Sequence, residues 1–241
     1  MSDGSSLISS RVSSVAISGR PAFQFASIRD GGGSAWHAVG DVSEEDDVAR
    51  LVAAAEERWD GRIDVLVNNA GIDHEAPFLE FPAEEWRRVL AVDLTGPFLM
   101  GQRVARAMAR AGGGAIVHVS SIDSMGADGL QVAYNAAKAG LLGLNRTMAV
   151  ELAPHGIRST VVNPGYVATP LTERYVGPAM WDHMTRSFAR VPQGRMARPE
   201  EIAAAIAFLA SDDASHVTGI ELTVDGGTTA NLYIVETVPG A

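Results

Sequence analysis

The sequence predicts an α/β protein, a doubly wound parallel sheet held between two helix layers. Three observations predict it: short apolar runs alternate with helical patterns, the strand interiors carry apolar residues on both faces, and each run ends in Asn, Asp, Ser or Gly. Consecutive apolar residues imply a strand covered on both faces, as happens when crossover helices flank a parallel sheet. At 241 residues, with 46% apolar and 20% charged residues, the chain can bury one sizeable core. Residues 34–241 read as a single domain, preceded by an atypical Ser/Gly-rich segment at 1–33.

In that first segment eight of the first twenty residues are Ser, and Gly31-Gly32-Gly33 closes it. Val15-Ala16-Ile17 is a weak strand candidate ending in Ser18-Gly19. From Ala35 the pattern is regular. Ala35 to Val39 reads as a strand running to Asp41-Val42. Ser43 is a candidate N-cap for a helix whose first turn carries Glu44, Glu45, Asp46 and Asp47. Val48, Leu51, Val52 and Ala55 form its apolar stripe. Ile63 to Val67 reads as a strand buried on both faces, before Asn68-Asn69-Ala70-Gly71. One long helical pattern runs from about Ala83 to Ala111, and Ala115 to Val119 is the next strand. A helix follows from about Gln131 to Leu152, then a strand from Ile157 to Val162 stopped by Asn163-Pro164-Gly165. An irregular stretch reaches about Ala197, a helix spans Pro199 to Ala210, and Ile220 to Val224 is the last strand.

Composition excludes several classes of function. There is no Cys, hence no disulfide, thiolate zinc site or cysteine nucleophile. A net charge of −10 opposes a nucleic-acid partner. The longest apolar run, Ile202 to Ala210, is too short to span a bilayer. The six His show no metal-ligand spacing, so no metal is assigned. These features read as a soluble, cytoplasmic protein; the Ser-rich start lacks the apolar stretch of a signal peptide.

Ligands of parallel α/β sheets bind at the carboxyl ends of the strands. Asp41, Asn68, Ser120-Ser121 and Asn163-Pro164-Gly165 all fall there, so they should gather along one rim. On the helix after Ser121, Tyr134 and Lys138 are four residues apart and share a face. An ammonium beside a phenol favours phenolate, which makes Tyr134 a candidate general acid/base with a lowered pKa. Of the 19 Lys and Arg residues, Lys138 is the only Lys. A lone lysine in an arginine-rich chain suggests a place where guanidinium cannot substitute. Taken singly, each of these short patterns is more often a turn or a solvated helix pair; together they converge.

Taken together, Asn68-Asn69-Ala70-Gly71, the Ser121 to Tyr134 spacing, Tyr134-Asn135-Ala136-Ala137-Lys138 and Asn163-Pro164-Gly165 with Thr169 resemble the short-chain dehydrogenase/reductase family. Gly194-Arg195, Arg198-Pro199-Glu200-Glu201 and Val224-Asp225-Gly226-Gly227 extend the resemblance, which covers about Gly32 to Gly227. It implies a Rossmann-like fold and an NAD- or NADP-dependent enzyme interconverting a secondary alcohol and a ketone. Tyr134 would transfer the proton, Lys138 would depress its pKa and hold the nicotinamide ribose, and Ser121 would hold the reacting oxygen. Asp41 and Val42 would contact the adenine, while Asn68, Ala70 and Gly71 would line the dinucleotide groove. Pro164, Gly165, Val167 and Thr169 would cover the nicotinamide. The resemblance also implies a homo-oligomer, a dimer or tetramer packed through the two long helices.

The sequence departs from that family at two places. Where the family carries a catalytic Asn, this chain has Asp93 in Val92-Asp93-Leu94-Thr95-Gly96, trading an amide donor for a carboxylate. Asp93 either raises the Tyr134 pKa or stabilises Lys138, or else simply orders a water as the amide would. The family's Gly-rich phosphate loop is also not found: Gly19 to Asp41 is a separation of 22 residues, about half of what that helix and second strand need. The N-terminal βα unit is therefore expected to be incomplete, and the residues that select NAD or NADP are not legible. Two alternatives follow from this: non-redox acid–base chemistry on the same fold, or a non-catalytic product. Tyr175, Met180, Trp181, Met184 and Phe188 suggest an apolar lid over a moderately hydrophobic carbonyl or alcohol substrate.

Overall fold

The computed structural model describes residues 34–231. The Ser/Gly-rich segment 1–33, with its strand candidate, lies outside the described residues. Four strands pair in parallel and in chain order: β1 (Val65–Asn68), β2 (Gly114–Val119), β3 (Ile157–Pro164) and β4 (Glu221–Val224). Between and around them run α1 (Glu45–Arg58), α2 (Ala83–Leu90), α3 (Gly96–Ala111), α4 (Val132–Leu152), α5 (Pro170–Glu173), α6 (Pro178–Arg186) and α7 (Pro199–Ala210). Because side chains alternate between faces along a strand, the register assigns each face. Val117 pairs with Thr160, and Val119 with Val162, so these four share one face. On that face Val117 and Val162 pack against Ile202 and Leu209 of α7. On the other face Ile116 and Ile157 join Val48, Val52, Met100, Val104 and Met108 from α1 and α3. The sheet therefore lies between helices on both faces, as its apolar strands require.

The structure corrects the sequence reading at several elements. Ala35 to Val39 forms no strand; Ala35 is buried, but Val39 is 68% exposed and its carbonyl accepts from Arg50 Nη1 at 3.0 Å. A strand needs a ladder partner, and no described strand runs beside this segment. Ser43 is not the N-cap. Glu44 holds that position, and the Ser43 hydroxyl instead donates to Asp41 Oδ1 at 2.6 Å. β1 is not buried on both faces, for Val65 and Val67 are 40% and 39% exposed. The described helix on that side, α7, packs over β2, β3 and β4. The irregular stretch before Ala197 contains two short helices, α5 and α6, each opened by a Pro in its first turn.

The most consequential correction concerns the long helical pattern from Ala83 to Ala111. It is broken by a π-helical turn at Ala91–Thr95, where Gly96 N–H donates to Ala91 O five residues back. Pro97 supplies the reason. It has no N–H for the carbonyl of residue 93, and its ring would clash there in a regular α-helix, so the ladder slips by one residue. Asp93 sits within this turn.

Candidate active site

Parallel strands place the ends of β1, β2 and β3 on one edge of the sheet, and the catalytic candidates come from the segments that leave it. Beyond β2, Ser121 is buried and caps a 3-10 turn at Ile122–Ser124: its Oγ accepts from Asp123 N–H at 3.1 Å and donates to Asp123 Oδ2 at 3.1 Å. The loop then leads into α4, where Asn135 Nδ2 donates to Gly126 O at 2.8 Å and to Asp123 O at 3.3 Å. This ties the Ser121 loop to the first turn of the helix bearing Tyr134 and Lys138.

Lys138 is buried behind Tyr134, its Nζ 5.2 Å from the ring centroid. The ammonium donates to Val119 O at 3.1 Å and lies 3.2 Å from Asp93 Oδ2. Asp93 is fully buried, and its other oxygen accepts from Ile72 N–H at 2.8 Å. Gly71 lies against this pair, since a Cβ there would come within 2.9 Å of Asp93 Oδ2 and 3.3 Å of Lys138 Nζ. The structure thus brings Ser121, Tyr134, Lys138, Asp93 and Gly71 together.

Burial and charge compete at each titratable group of the cluster. Burial opposes the Lys138 ammonium, but Tyr134 and Asp93 together hold its pKa above the ordinary value. Burial pushes the Asp93 carboxyl upward against the pull of Lys138. The expectation of a lowered Tyr134 pKa is corrected. Burial pushes the phenol upward and outweighs Lys138 and the Ser121 hydroxyl, both of which pull it down, while Asp93 adds to the rise.

The other candidates along the rim have separate places. Asn68 is buried; its Nδ2 is 3.2 Å from His118 Nδ1 and 3.4 Å from Pro97 O, so it ties β1 to β2 and α3. Ala70 packs against the core under α1 and α3. Asp41 is exposed and accepts from Ser43 N–H at 2.9 Å, while Val42 is buried against Gly96. Pro164 ends β3, and a Cβ at Gly165 would stand 2.8 Å from Asp225 Cα. The Val167 carbonyl accepts from Thr172 Oγ1 at 2.8 Å, and Thr169 caps α5 through Thr172 N–H. These last two behave as turn residues.

Several residues of the site went unread in the sequence. Asp123 holds the Ser121 hydroxyl, and burial, with Asp128, pushes its own pKa up. Gln131 Nε2 bridges Asp73 Oδ2 at 2.6 Å and Glu75 Oε1 at 3.3 Å, and Ala76 N–H donates to Leu130 O at 3.0 Å. The loops after β1 and β2 thereby form one wall. Tyr166 OH donates to Asp128 at 2.6 Å, and its ring meets Phe188 edge-on at 5.1 Å. The Ser-x-Asp spacing at 121–123 was the available signal for Asp123, because Asp and Ser two residues apart readily close a local turn.

The donor set of the cluster fits the nicotinamide ribose end of a dinucleotide. An ammonium has three hydrogens. Nζ donates to Val119 O and is ion-paired with Asp93, which leaves donor capacity for a ribose hydroxyl. Among the described residues no Gly-rich loop opens a helix at this rim, so the fit concerns that end alone. No cluster of three or more metal-ligating side chains occurs among the described residues. No described helix is long and apolar enough to cross a membrane.

Comparisons with known proteins identify the family. The family described as enoyl-(acyl carrier protein) reductase matches residues 11–229. The chain is 49% identical over 204 residues to cis-4-hydroxycyclohexanecarboxylate dehydrogenase of Sinomonas cyclohexanicum, covering 84% of this chain and 80% of that one. It is 42% identical to L-rhamnose 1-dehydrogenase (NAD(P)(+)) of Azotobacter vinelandii, over 83% of this chain and 78% of the other. Among solved structures, a gluconate 5-dehydrogenase from Burkholderia cenocepacia in complex with NADP and tartrate superposes with a TM-score of 0.82 at 34% identity, covering 90% of this chain and 86% of that one. A parallel sheet sandwiched by helices, with Ser121, Tyr134 and Lys138 gathered at its carboxyl edge, and relatives at this level of identity lead to one conclusion: the chain belongs to the short-chain dehydrogenase/reductase family of NAD(P)-dependent oxidoreductases.

Proposed function

We propose that the protein interconverts a secondary alcohol and a ketone, with Tyr134 as the proton-transferring group, Lys138 as its electrostatic partner and Ser121 as the hydrogen-bonding partner of the reacting oxygen. One observation carries this reading. The phenol, the ammonium and the hydroxyl, from separate stretches of chain, bear on one another at the carboxyl edge of the sheet. When bound, the nicotinamide supplies the hydride chemistry; NAD and NADP are both open. In the oxidation direction Tyr134 accepts the substrate hydroxyl proton as a phenolate. In the reduction direction it returns that proton to the carbonyl oxygen. Lys138 stabilises the phenolate and offers a hydrogen to the ribose. The Ser121 hydroxyl would accept from the substrate hydroxyl in oxidation and, turning its hydrogen from Asp123 Oδ2, would donate to the carbonyl oxygen in reduction. Asn68, Ala70, Gly71, Pro164, Gly165, Val167 and Thr169 would line the groove, with Asp41 and Val42 at its adenine end.

The substrate in this reading is small and moderately hydrophobic. The Tyr166–Phe188 pair, buried Met184 and half-buried Trp181 support an apolar side to the substrate site in this reading. Met180 and Tyr175 are 51% and 38% exposed, so they contribute less than the sequence suggested. Likeness to a hydroxycyclohexanecarboxylate dehydrogenase supports a ring-sized alcohol. A cytoplasmic homo-oligomer belongs to the same reading. The relatives are dehydrogenases, and nothing in the site favours the non-redox alternative.

The test is Tyr134→Phe, assayed with NAD, NADP and a panel of cyclic secondary alcohols. A positioned general acid/base is worth about 10²–10⁴-fold, so kcat should fall by that factor while nicotinamide fluorescence still reports cofactor binding. Undiminished turnover in Tyr134→Phe, or turnover by the parent chain without a dinucleotide, would overturn the reading.

A further inference from the structure

The Asp93–Lys138 pair differs from every other ion pair found among the described residues: its side chains are 0% and 4% exposed, whereas all the others reach solvent. An ammonium acts on a neighbouring phenol through whatever positive charge other groups leave uncompensated. Here a carboxylate oxygen stands 3.2 Å from Nζ, while the ring centroid is 5.2 Å away. The carboxylate cannot swing aside, because Ile72 N–H holds its second oxygen at 2.8 Å and the Gly71 backbone closes the pair from the side. The π turn fixes the same geometry from below by pointing residue 93 inward.

We propose that Asp93 is a positioning residue: it anchors the Lys138 ammonium, offsets part of its charge, and so sets the pH at which Tyr134 releases its proton higher than a neutral amide at this position would. The inference rests on the reading of Tyr134 as the proton-transferring group. The other groups that bear on the cluster are Asp123 and Ser121 from the β2 loop, Asp73 from the β1 loop, His118 from β2 and Arg88 from α2. Asp73 and Asp123 are acids, and they act on the cluster in the same sense with or without Asp93. Exchanging the carboxylate for an amide therefore isolates one charge.

The experiment compares Asp93→Asn with the parent chain by titrating tyrosinate absorbance in the ligand-free protein, with Tyr134→Phe in each background to subtract the remaining tyrosines. Removing a neighbouring charge shifts a titration by about one pH unit or more. The Tyr134 titration should therefore move down by roughly one unit in Asp93→Asn, and the acid limb of kcat/KM for alcohol oxidation should move with it. A titration that stays in place or moves up overturns the proposal. If Asp93→Asn fails to fold, Asp93→Ser removes the same charge and must give the same downward move. The titration needs neither substrate nor cofactor, so it can fail while the oxidoreductase reading stands, and the reverse also holds.

Discussion

His118 has no exposed surface, its Nδ1 lies 3.2 Å from Asn68 Nδ2, and burial, with the Lys138 charge, holds its pKa down to about 4. The unfolded chain takes up this proton near pH 6.5 and the folded chain does not, so stability falls as the pH drops from 6.5 towards 4. The loss attached to this one ring is about 3 kcal/mol over that window. Urea midpoints measured at pH 7 and pH 4.5 should therefore converge in His118→Gln relative to the parent chain. Ser121, Tyr134 and Lys138 were legible in the sequence because their chemistry depends on spacing along one helix and one strand end. Asp123 and Asp73 were not, since their roles come from which loops meet. Burial likewise overrode the pairwise rule at Tyr134: the nearby ammonium does pull the phenol pKa down, but removal from water pushes it further up.

Element by element, helices α4 and α7 and strands β2, β3 and β4 lie where the apolar runs placed them, to within two residues at each end, and α1 carries the apolar stripe expected of it. A run of apolar residues reports burial, and burial needs only the neighbours that these elements have. The π turn was missed because hydrophobic periodicity tolerates one added residue, although Pro97 marked the place where the α ladder had to yield. The Ala35 to Val39 strand failed for the opposite reason, since composition cannot supply a pairing partner. The close approach of β3 and β4 gives a sharp prediction at this scale. At Gly165 a Cβ would meet Asp225 Cα at 2.8 Å, a backbone atom with no rotamer to change. Gly165→Ala should cost about 1–3 kcal/mol through overpacking, read as a lower urea midpoint with an unchanged slope.

Across the molecule, the described sheet is asymmetric. β2 and β3 are paired along both edges, whereas β1 and β4 each have one described partner. β1 also carries the exposed Val65 and Val67. Amide hydrogen exchange should therefore be slowest in β2 and β3 and faster in β1 and β4. Exchange in β1 as slow as in β2 would overturn this ranking. The four described strands were legible in the sequence, whereas the weak strand candidate Val15-Ala16-Ile17 lies outside the described residues.

The chain's one lysine is sealed behind a tyrosine and bound to a carboxylate. Acylating or aldehyde reagents aimed at side-chain amines consequently find no target on the surface. The rate at which such a reagent modifies Lys138 becomes a clock for how often the interior opens.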